Sequence, residues 1–191
     1  LGKGDFGNKV EVIHYGIENN NRPGPDVENL GVEIKTNPLN LLKDGSYSPK
    51  ESVSLGMINF TDLCNESFET SSYLNKNNKI LYNMYHYIPG QDVFLNKVLL
   101  SDIITPSEAD LKVIKKDWEF IQNKAKNNKA DQLSQSDTNY LIAMTKGSKG
   151  QIPQPYGVNK IAKAKRRAFA YRGAYIRYLL SDYTLVEELG E

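Results

Sequence analysis

The segment Pro25–Leu39 reads PDVENLGVEIKTNPL, and the interpretation of the whole chain starts from it. Its second half alternates β-branched residues with charged or polar ones, which predicts a β-strand that ends near Pro38. Side chains two residues apart on a strand project to the same face, so Glu33 and Lys35 are expected to point together. The turn before the strand carries Asp26 and is able to return it to the same end of the strand.

Two carboxylates and a lysine at this spacing suit the hydrolysis of a phosphodiester. Asp26 and Glu33 offer the oxygen ligands that Mg²⁺ prefers, and the main-chain carbonyl of Ile34 is placed to add another. A bound Mg²⁺ polarises a phosphodiester and lowers the pKa of water. Lys35 is suited to orient that water and to offset developing negative charge. Taken alone, the triad also fits a half-exposed strand with a surface Glu–Lys alternation, and that alternative stays open.

Positive charge is concentrated near the carboxyl end of the chain. Between Thr138 and Ser181 there is no Asp or Glu, although the whole chain has a net charge of only +1. The basic residues of this stretch are Lys146, Lys149, Lys160, Lys163, Lys165, Arg166, Arg167, Arg172 and Arg177. Such segregation is typical of a surface that binds a polyanion beside an acidic, cation-binding one. A solvated basic helix is the alternative, which the absence of acids and the interleaved aromatic residues disfavour.

Hydrophobic periodicity predicts further elements in the first half of the chain. Apolar residues at helical spacing predict a helix over residues 6–17. The stretches KILYNMYHYI and DVFLNKVLLSDI are strand candidates, and Pro89 and Gly90 between them favour a hairpin. At 191 residues the chain is expected to form one domain, of α/β or α+β class with a central sheet.

The second half contains the clearest helical pattern. Thr105, Pro106 and Glu108 predict a capping-box start, and one apolar face follows it: Leu111, Ile114, Trp118 and Ile121. Residues 139–145 (NYLIAMT) predict a short strand. The stretch 160–180 fits either one helix or a strand at Arg167–Tyr171 followed by a helix from Gly173.

The single cysteine, Cys64, cannot form an internal disulfide and fits a reducing cytoplasm. We interpret it as a buried small hydrophobe rather than a catalytic thiol. No apolar run approaches the roughly eighteen residues of a membrane span, so no membrane association is expected. The two histidines, His14 and His86, lie too far apart in sequence to predict a zinc site.

Four blocks of the chain, in order, resemble a known family. They are KGDFGNKVEVIHYG, PDVENLGVEIKTNPL, NESFETSSYLNKNNKILY and RRAFAYRGAYIRYLL. The chain resembles the MutH-like type II restriction endonucleases that cut at GATC, which are related to the mismatch-repair nickase MutH. The resemblance implies a PD-(D/E)xK fold with a mixed central sheet, flanked by helices and split into two arms around a DNA cleft.

The resemblance also implies an active site. Asp26, Glu33 and Lys35 would be its core, with Glu11 as a supporting acid on the first helix and Lys76 as an additional lysine. By pattern alone, Glu11 also fits a solvated helix residue. The implied cofactor is Mg²⁺, with one or two ions per site, held by Asp26, Glu33 and the carbonyl of Ile34.

DNA contacts are expected along the basic segment. The resemblance places Lys146 where the family reads bases or phosphates, with Arg167 and Arg172 nearby. Charge together with the resemblance gives the full predicted set: Lys146, Lys149, Lys163, Lys165, Arg166, Arg167 and Arg172. A tyrosine that the family carries in its last block falls at Ala170 here, which leaves Tyr171 as a substitute.

These observations lead to one hypothesis and two alternatives. The chain (residues 1–191) is expected to be the catalytic module of a restriction enzyme, excised from a longer protein, that cuts double-stranded DNA at GATC. Double-strand cleavage would require pairing of two active sites, through dimerisation on DNA or a second domain. The first alternative is a mismatch-repair nickase, and the second is a non-catalytic DNA-binding domain on the same fold.

Overall fold

The computed structural model describes residues 5–17, 24–92, 95–147, 153–157, 159–183 and 185. Internal contacts divide the chain into two compact units. Unit 1 consists of Leu1–Glu51, Lys76–Thr105 and Ile176–Glu191, and unit 2 consists of Ser52–Asn75 and Pro106–Tyr175. Both contain helices and strands, so the predicted α+β class is confirmed. The expectation of one endonuclease domain stays a prediction.

Nine strands and five α-helices lie within the described residues. The strands are β1 (Glu33–Leu41), β2 (Tyr47–Pro49), β3 (Val53–Met57), β4 (Ile80–His86), β5 (Val98–Ile104), β6 (Leu141–Thr145), β7 (Gln154–Tyr156), β8 (Ala162–Ala164) and β9 (Arg167–Tyr171). The helices are α1 (Asp5–Lys9), α2 (Phe60–Leu63), α3 (Ser72–Asn77), α4 (Glu108–Lys126) and α5 (Gly173–Leu180).

Unit 1 is built on a mixed sheet in the order β2-β1-β4-β5. β1 and β4 run parallel, while the β1–β2 and β4–β5 pairs are antiparallel. The predicted β4–β5 hairpin is confirmed, although β5 begins only at Val98. Gly90 has a φ of +80°, as the turn between the strands requires.

β1 runs three residues beyond the predicted end at Pro38. The carbonyl of Leu39 faces β4, since it accepts a hydrogen bond from Tyr87 N at 2.8 Å. Backbone groups of successive residues face opposite sides, so the nitrogen of Pro38 faces β2. Because the Pro38 nitrogen does not face β4, its missing N–H removes no hydrogen bond between β1 and β4. The pairing of β1 with β2 begins only at Leu39.

The predicted first helix forms α1 and continues as a π-helical turn, Val10–His14. α1 packs closely on β1 at Gly7, where an added Cβ would lie 2.8 Å from Thr36 Oγ1. Glycine is therefore required for this close approach. The helical segment ends at His14, three residues before the predicted end.

Unit 2 contains an antiparallel sheet in the order β3-β9-β6 and a two-stranded ribbon of β7 and β8. For residues 160–180, the interpretation as a strand followed by a helix from Gly173 is confirmed. β9 is buried along its whole length, which explains why its sequence does not alternate.

The predicted cap of α4 was misplaced. The N-cap is Ser107, whose hydroxyl accepts from Asp110 N at 3.1 Å while Asp110 Oδ2 accepts from Ser107 N at 3.1 Å. A capping box pairs a hydroxyl residue with an acidic residue three positions later. Thr105 with Glu108 and Ser107 with Asp110 both have that spacing, and the capping hydrogen bonds form at the second pair. Pro106 therefore precedes the cap instead of opening the first turn.

The apolar face of α4 forms the core of unit 2. Ile114, Trp118 and Ile121 are buried as predicted, whereas Leu111 is half-buried. Trp118 packs edge-on against Phe68, with ring centroids 5.8 Å apart. Within the described part of the chain, no helix combines the length and the apolar character needed to cross a bilayer.

Asp117 joins α4 to the start of β6. Its carboxylate, 3 % exposed, accepts main-chain hydrogen bonds from Asn139 at 3.0 Å, Tyr140 at 2.6 Å and Leu141 at 3.0 Å. Three successive N–H donors are therefore satisfied by one buried side chain.

Replacing Asp117 with alanine leaves these three donors, of which that of Leu141 is buried, without this acceptor. We expect Asp117→Ala to lower the free energy of unfolding by about 3 kcal/mol or more. Glu119→Ala, at an exposed position on the same helix, is the control and should change it by less than about 0.5 kcal/mol. Urea unfolding followed by circular dichroism measures both. Equal small effects would show that Asp117 does not hold β6.

Candidate active site

The predicted return of Asp26 to the start of β1 is made by a tight hairpin. Val27 and Val32 exchange main-chain hydrogen bonds of 2.9 and 3.2 Å. Between them lie a single 3₁₀ turn, Glu28–Leu30, and Gly31 in the left-handed region at a φ of +64°. Glycine adopts that conformation without a Cβ penalty. The six residues between Asp26 and Glu33 thus form the hairpin that brings Asp26 back to the start of β1.

Asp26 is fixed by the backbone of β1. Its Oδ2 accepts a hydrogen bond from Ile34 N at 2.9 Å. In an extended strand the N–H and C=O of one residue point to the same side, so the Ile34 carbonyl faces the edge where Asp26 lies. The two predicted oxygen ligands from Asp26 and Ile34 therefore share one edge of the strand.

Glu33 and Lys35 are paired directly. The Glu33 side chain is 1 % exposed, and the Lys35 ammonium contacts its Oε1. Lys76 Nζ lies 3.0 Å from the other oxygen, Oε2, but without the geometry of a hydrogen bond. Glu33 thus carries a buried carboxylate that two cations neutralise and that keeps one oxygen available for a further partner.

Lys76 also holds the loop that precedes Asp26. Its Nζ donates a 2.7 Å hydrogen bond to the carbonyl of Gly24, across 52 residues of sequence. One ammonium group therefore links Glu33 on β1 with the residues just before Asp26. The predicted place of Lys76 beside Asp26 and Glu33 agrees with this geometry.

Glu11 lies in the π-helical turn and is half-buried. Burial, together with the charges of Asp26 and Glu33, raises the pKa of Glu11, while Lys35 and Lys76 act in the opposite direction. Glu11 is therefore within electrostatic range of all four other predicted catalytic residues. Glu11 is thus not fully solvated, and its role as a supporting acid stays a prediction.

The turn that carries Glu11 is anchored to the sheet by a contact that the sequence did not reveal. Tyr15 donates a 2.8 Å hydrogen bond from its hydroxyl to Asn83 Oδ1 on β4. Ser101 on β5 donates to the same oxygen at 2.9 Å. Tyr15 and Asn83 are 68 residues apart, and no local spacing signals such a pair.

The site fits a hard divalent cation as an incomplete shell. Among the described residues, no three side chains of Asp, Glu, His or Cys form a ready-made cage. Mg²⁺ is usually held by one or two carboxylates while water and substrate phosphates complete its shell. Asp26, Glu33 with its unfilled Oε2, and the Ile34 carbonyl would supply the protein's share.

The basic residues predicted to contact DNA belong to unit 2 and divide into two groups. Lys163, Lys165 and Arg166 are exposed, and Lys146 is half-buried with its main-chain N–H bonded to the carbonyl of Arg166 at 2.9 Å. Their DNA contacts stay predictions. Lys149 lies outside the described residues.

Arg167 and Arg172 both donate to main-chain carbonyls of unit 2. Arg167 is 6 % exposed and donates to the carbonyl of Ala143 at 2.9 Å. Its burial also lowers the pKa of its guanidinium. Arg172 donates to the carbonyls of Gln135 and, at 2.6 Å, Thr138. Both guanidinium groups thus stabilise the main chain of unit 2, and their DNA contacts stay predictions.

Tyr171 does not replace the family's tyrosine. It is 1 % exposed and accepts a 2.9 Å hydrogen bond from the hydroxyl of Tyr73, inside the core of unit 2. Burial raises the pKa of Tyr171 to about 12. A side chain enclosed in this way cannot contact DNA.

Cys64 is half-buried, and less enclosed than we predicted. Burial raises the pKa of its thiol, an effect that nearby Lys126 only partly offsets. The thiolate needed for nucleophilic catalysis is therefore disfavoured. This agrees with the interpretation that Cys64 is not a catalytic residue.

Comparisons with known proteins identify the family of the chain. The family model described as "DNA mismatch repair enzyme MutH" matches residues 15–117. The type II restriction enzyme Sau3AI of Staphylococcus aureus is 38 % identical over 178 residues, which cover 91 % of this chain and 36 % of that enzyme. The DNA mismatch repair protein MutH of Vibrio cholerae is 28 % identical over 95 % of this chain and 80 % of its own length.

The chain thus spans about a third of the length of its restriction-enzyme relative and most of the length of its MutH relative. The family model covers more than half of the chain, and it includes Asp26, Glu33, Lys35 and Lys76. The chain belongs to the MutH family.

Proposed function

We propose that this chain is a Mg²⁺-dependent endonuclease that hydrolyses double-stranded DNA at GATC as part of a restriction system. The observation that supports it most is the convergence of Asp26, Glu33, Lys35 and Lys76 around one buried carboxylate. The greater identity to a restriction enzyme than to MutH proteins, 38 % against 28 %, favours restriction over mismatch repair.

The charges of the site suit a metal ion and a phosphodiester together. Glu11, Asp26 and Glu33 can contribute three negative charges, and Lys35 and Lys76 contribute two positive ones. The resulting net charge of −1 becomes +1 with a divalent cation, which one bound phosphodiester neutralises. With both the ion and the phosphodiester bound, the partly buried site would therefore carry no net charge, which avoids the cost of an unpaired buried charge.

Each residue has a distinct task in this proposal. Mg²⁺ would supply Lewis-acid polarisation of the scissile phosphate and a lowered pKa for the attacking water. Asp26 and Glu33 would hold the ion, and the hydrogen bond from Ile34 keeps Asp26 in position. Lys35, whose ammonium contacts Glu33 Oε1, would orient water and offset negative charge developing on the phosphate.

Lys76 would act mainly by position. Its bond to the Gly24 carbonyl holds the loop before Asp26, and its contact with Glu33 moderates the charge of that carboxylate. Glu11 would complete the acidic environment of the ion. The exposed basic residues of unit 2 would contact the DNA backbone, and this electrostatic contribution falls with salt.

The triad can be tested by single replacements. We expect Asp26→Ala, Glu33→Ala and Lys35→Ala each to reduce Mg²⁺-dependent cleavage of GATC-containing DNA by about three orders of magnitude or more. Binding to the same DNA should persist. Lys79→Ala, at an exposed lysine near Glu33, is the control. Unchanged cleavage by Lys35→Ala would exclude the proposed chemistry and favour a non-catalytic DNA-binding domain.

Supercoiled plasmid distinguishes restriction from nicking. Because one active site hydrolyses one strand, double-strand cleavage requires two sites to act together, and linear product should then accumulate with Mg²⁺. Accumulation of open circles without linear product would favour the mismatch-repair alternative. Methylated and unmethylated GATC substrates, with and without Mg²⁺, complete the assay.

The raised pKa of Glu11 makes stability depend on pH. The folded protein takes up this proton more readily than the unfolded chain, so the associated stability is present below the ordinary pKa, near 4.5, and is lost as pH rises through the folded value. Glu11→Gln mimics the protonated form. It should therefore raise the free energy of unfolding at neutral pH, without added cation, and make no difference at acidic pH.

Chemical denaturation across pH 4 to 8 measures this difference, with Glu28→Gln as the control at an exposed glutamate. The same replacement should weaken Mg²⁺-dependent cleavage at neutral pH, because it removes a charge from the ion's surroundings. A Glu11→Gln protein that is less stable than wild type at neutral pH would show that Glu11 is not in this acidic cluster.

A further inference from the structure

The ribbon formed by β7 and β8 presents one row of side chains to solvent. In β8, Lys163 is exposed between two buried alanines. The same alternation places Ile161 and Lys165 on the outward side with Lys163. Across the ribbon Lys163 pairs with Pro155, which is also exposed. The outward face therefore combines an isoleucine with two lysines, and the proposed hydrolysis does not use that isoleucine.

Ile161 is 79 % exposed, more than any other large hydrophobic residue in the described part of the chain. A single exposed apolar side chain is common on protein surfaces, so its surroundings decide whether it has a role. The residue before it, Lys160, has a φ of +50°, a left-handed conformation that lysine rarely adopts. Outlying backbone of this kind is often found at functional sites.

The charged residues nearest to Ile161 in sequence are all positive. Lys160, Lys163, Lys165 and Arg166 are exposed, and none forms an ion pair with a carboxylate of the described residues. Lys163 and Lys165 are two residues apart on an extended chain, which separates them by about 7 Å. That distance is about twice the roughly 3.4 Å rise between phosphates along one DNA strand.

A groove beside the ribbon is also suited to a phosphate. It has a volume of about 310 Å³, and its lining includes Lys165, Arg166 and Thr61. The Thr61 hydroxyl accepts a 2.9 Å hydrogen bond from Gly157 N, so its own proton remains available to donate. The basic side of the ribbon thus offers both charge and a hydroxyl donor.

The width of the ribbon distinguishes between the two grooves of DNA. Two paired strands lie about 4.8 Å apart, before side chains are added. The major groove is about 12 Å wide and admits a two-stranded ribbon, whereas the minor groove is only about 6 Å wide. In the major groove, the apolar feature of a base pair is the methyl group of thymine.

We propose that the β7–β8 ribbon enters the major groove of duplex DNA, where Ile161 packs on a thymine methyl group and Lys163 and Lys165 neutralise phosphates. This inference rests on the proposed function, because it assigns a base-reading residue to the same substrate. Ile161 would then recognise the DNA sequence, whereas Lys163 and Lys165 would provide affinity for DNA of any sequence.

The contact with thymine is tested by removing the methyl group from the DNA. Proteins carrying Lys35→Ala, so that DNA is not consumed, are titrated against a GATC-containing duplex and the same duplex with uracil in place of thymine. Loss of one buried methyl group should weaken binding about fourfold. With Ile161→Ala added, thymine and uracil duplexes should bind equally. Ile103→Ala, at an exposed isoleucine of β5, should retain the fourfold difference.

The phosphate contacts are tested by salt dependence. Lys163→Gln and Lys165→Gln should each lower the slope of log affinity against log salt by about one unit, for GATC and unrelated duplexes alike. Ile161→Ala should leave the slope unchanged. Lys116→Gln, at an exposed lysine of α4, is the control.

The outcomes separate this inference from the proposed function. The inference is overturned if the Lys35→Ala protein binds thymine and uracil duplexes equally, or if it still distinguishes them after Ile161→Ala is added. It is also overturned if Lys163→Gln and Lys165→Gln have the same salt dependence of binding as Lys116→Gln. In those cases wild-type cleavage with Mg²⁺ still supports the nuclease. If the protein binds no duplex at all, the nuclease proposal and the ribbon inference both fail.

Discussion

Glu33 is a carboxylate that the fold has removed almost completely from water, and two lysines from different parts of the chain hold it there. An isolated charge at such a place would cost several kcal/mol, so the site depends on this pairing. Lys35 comes from the same strand, and Lys76 comes from α3. Because Lys76 also binds the Gly24 carbonyl, the interaction that stabilises Glu33 also fixes the approach to Asp26.

The two lysines neutralise Glu33, and its Oε2 has no hydrogen-bond partner. In the proposed function this oxygen would be a ligand for Mg²⁺. For Glu11, burial and the neighbouring acids raise the pKa of the carboxyl group, and Lys35 and Lys76 offset this effect only in part.

The sequence predicted those parts of the site that depend on local geometry. The alternation of Glu33 and Lys35 on one strand and the turn that returns Asp26 follow from spacing alone, and Gly31 is the residue type such a turn needs. Similarity to a family added Glu11 and Lys76, which local pattern could not assign. The strand after residue 160 was predicted as one of two alternatives, because a fully buried strand such as β9 lacks alternation.

Long-range contacts could not be predicted from the sequence. Tyr15 with Asn83, and Lys76 with Gly24, join residues more than fifty positions apart, and neither pair follows a short pattern. Charge alone also could not separate basic residues by role. Arg167 and Arg172 donate hydrogen bonds to main-chain carbonyls, whereas Lys163 and Lys165 are exposed, and only the packed structure shows this difference.

The central claim is that Glu33 is a ligand for a divalent cation. Thermal unfolding in increasing Mg²⁺, without DNA, tests it most directly, since a ligand of the folded state stabilises it by about 1.4 kcal/mol at ten times its dissociation constant. The midpoint of the wild-type protein should rise with Mg²⁺, and that of Glu33→Gln should stay constant. An equal rise in both proteins would contradict the claim.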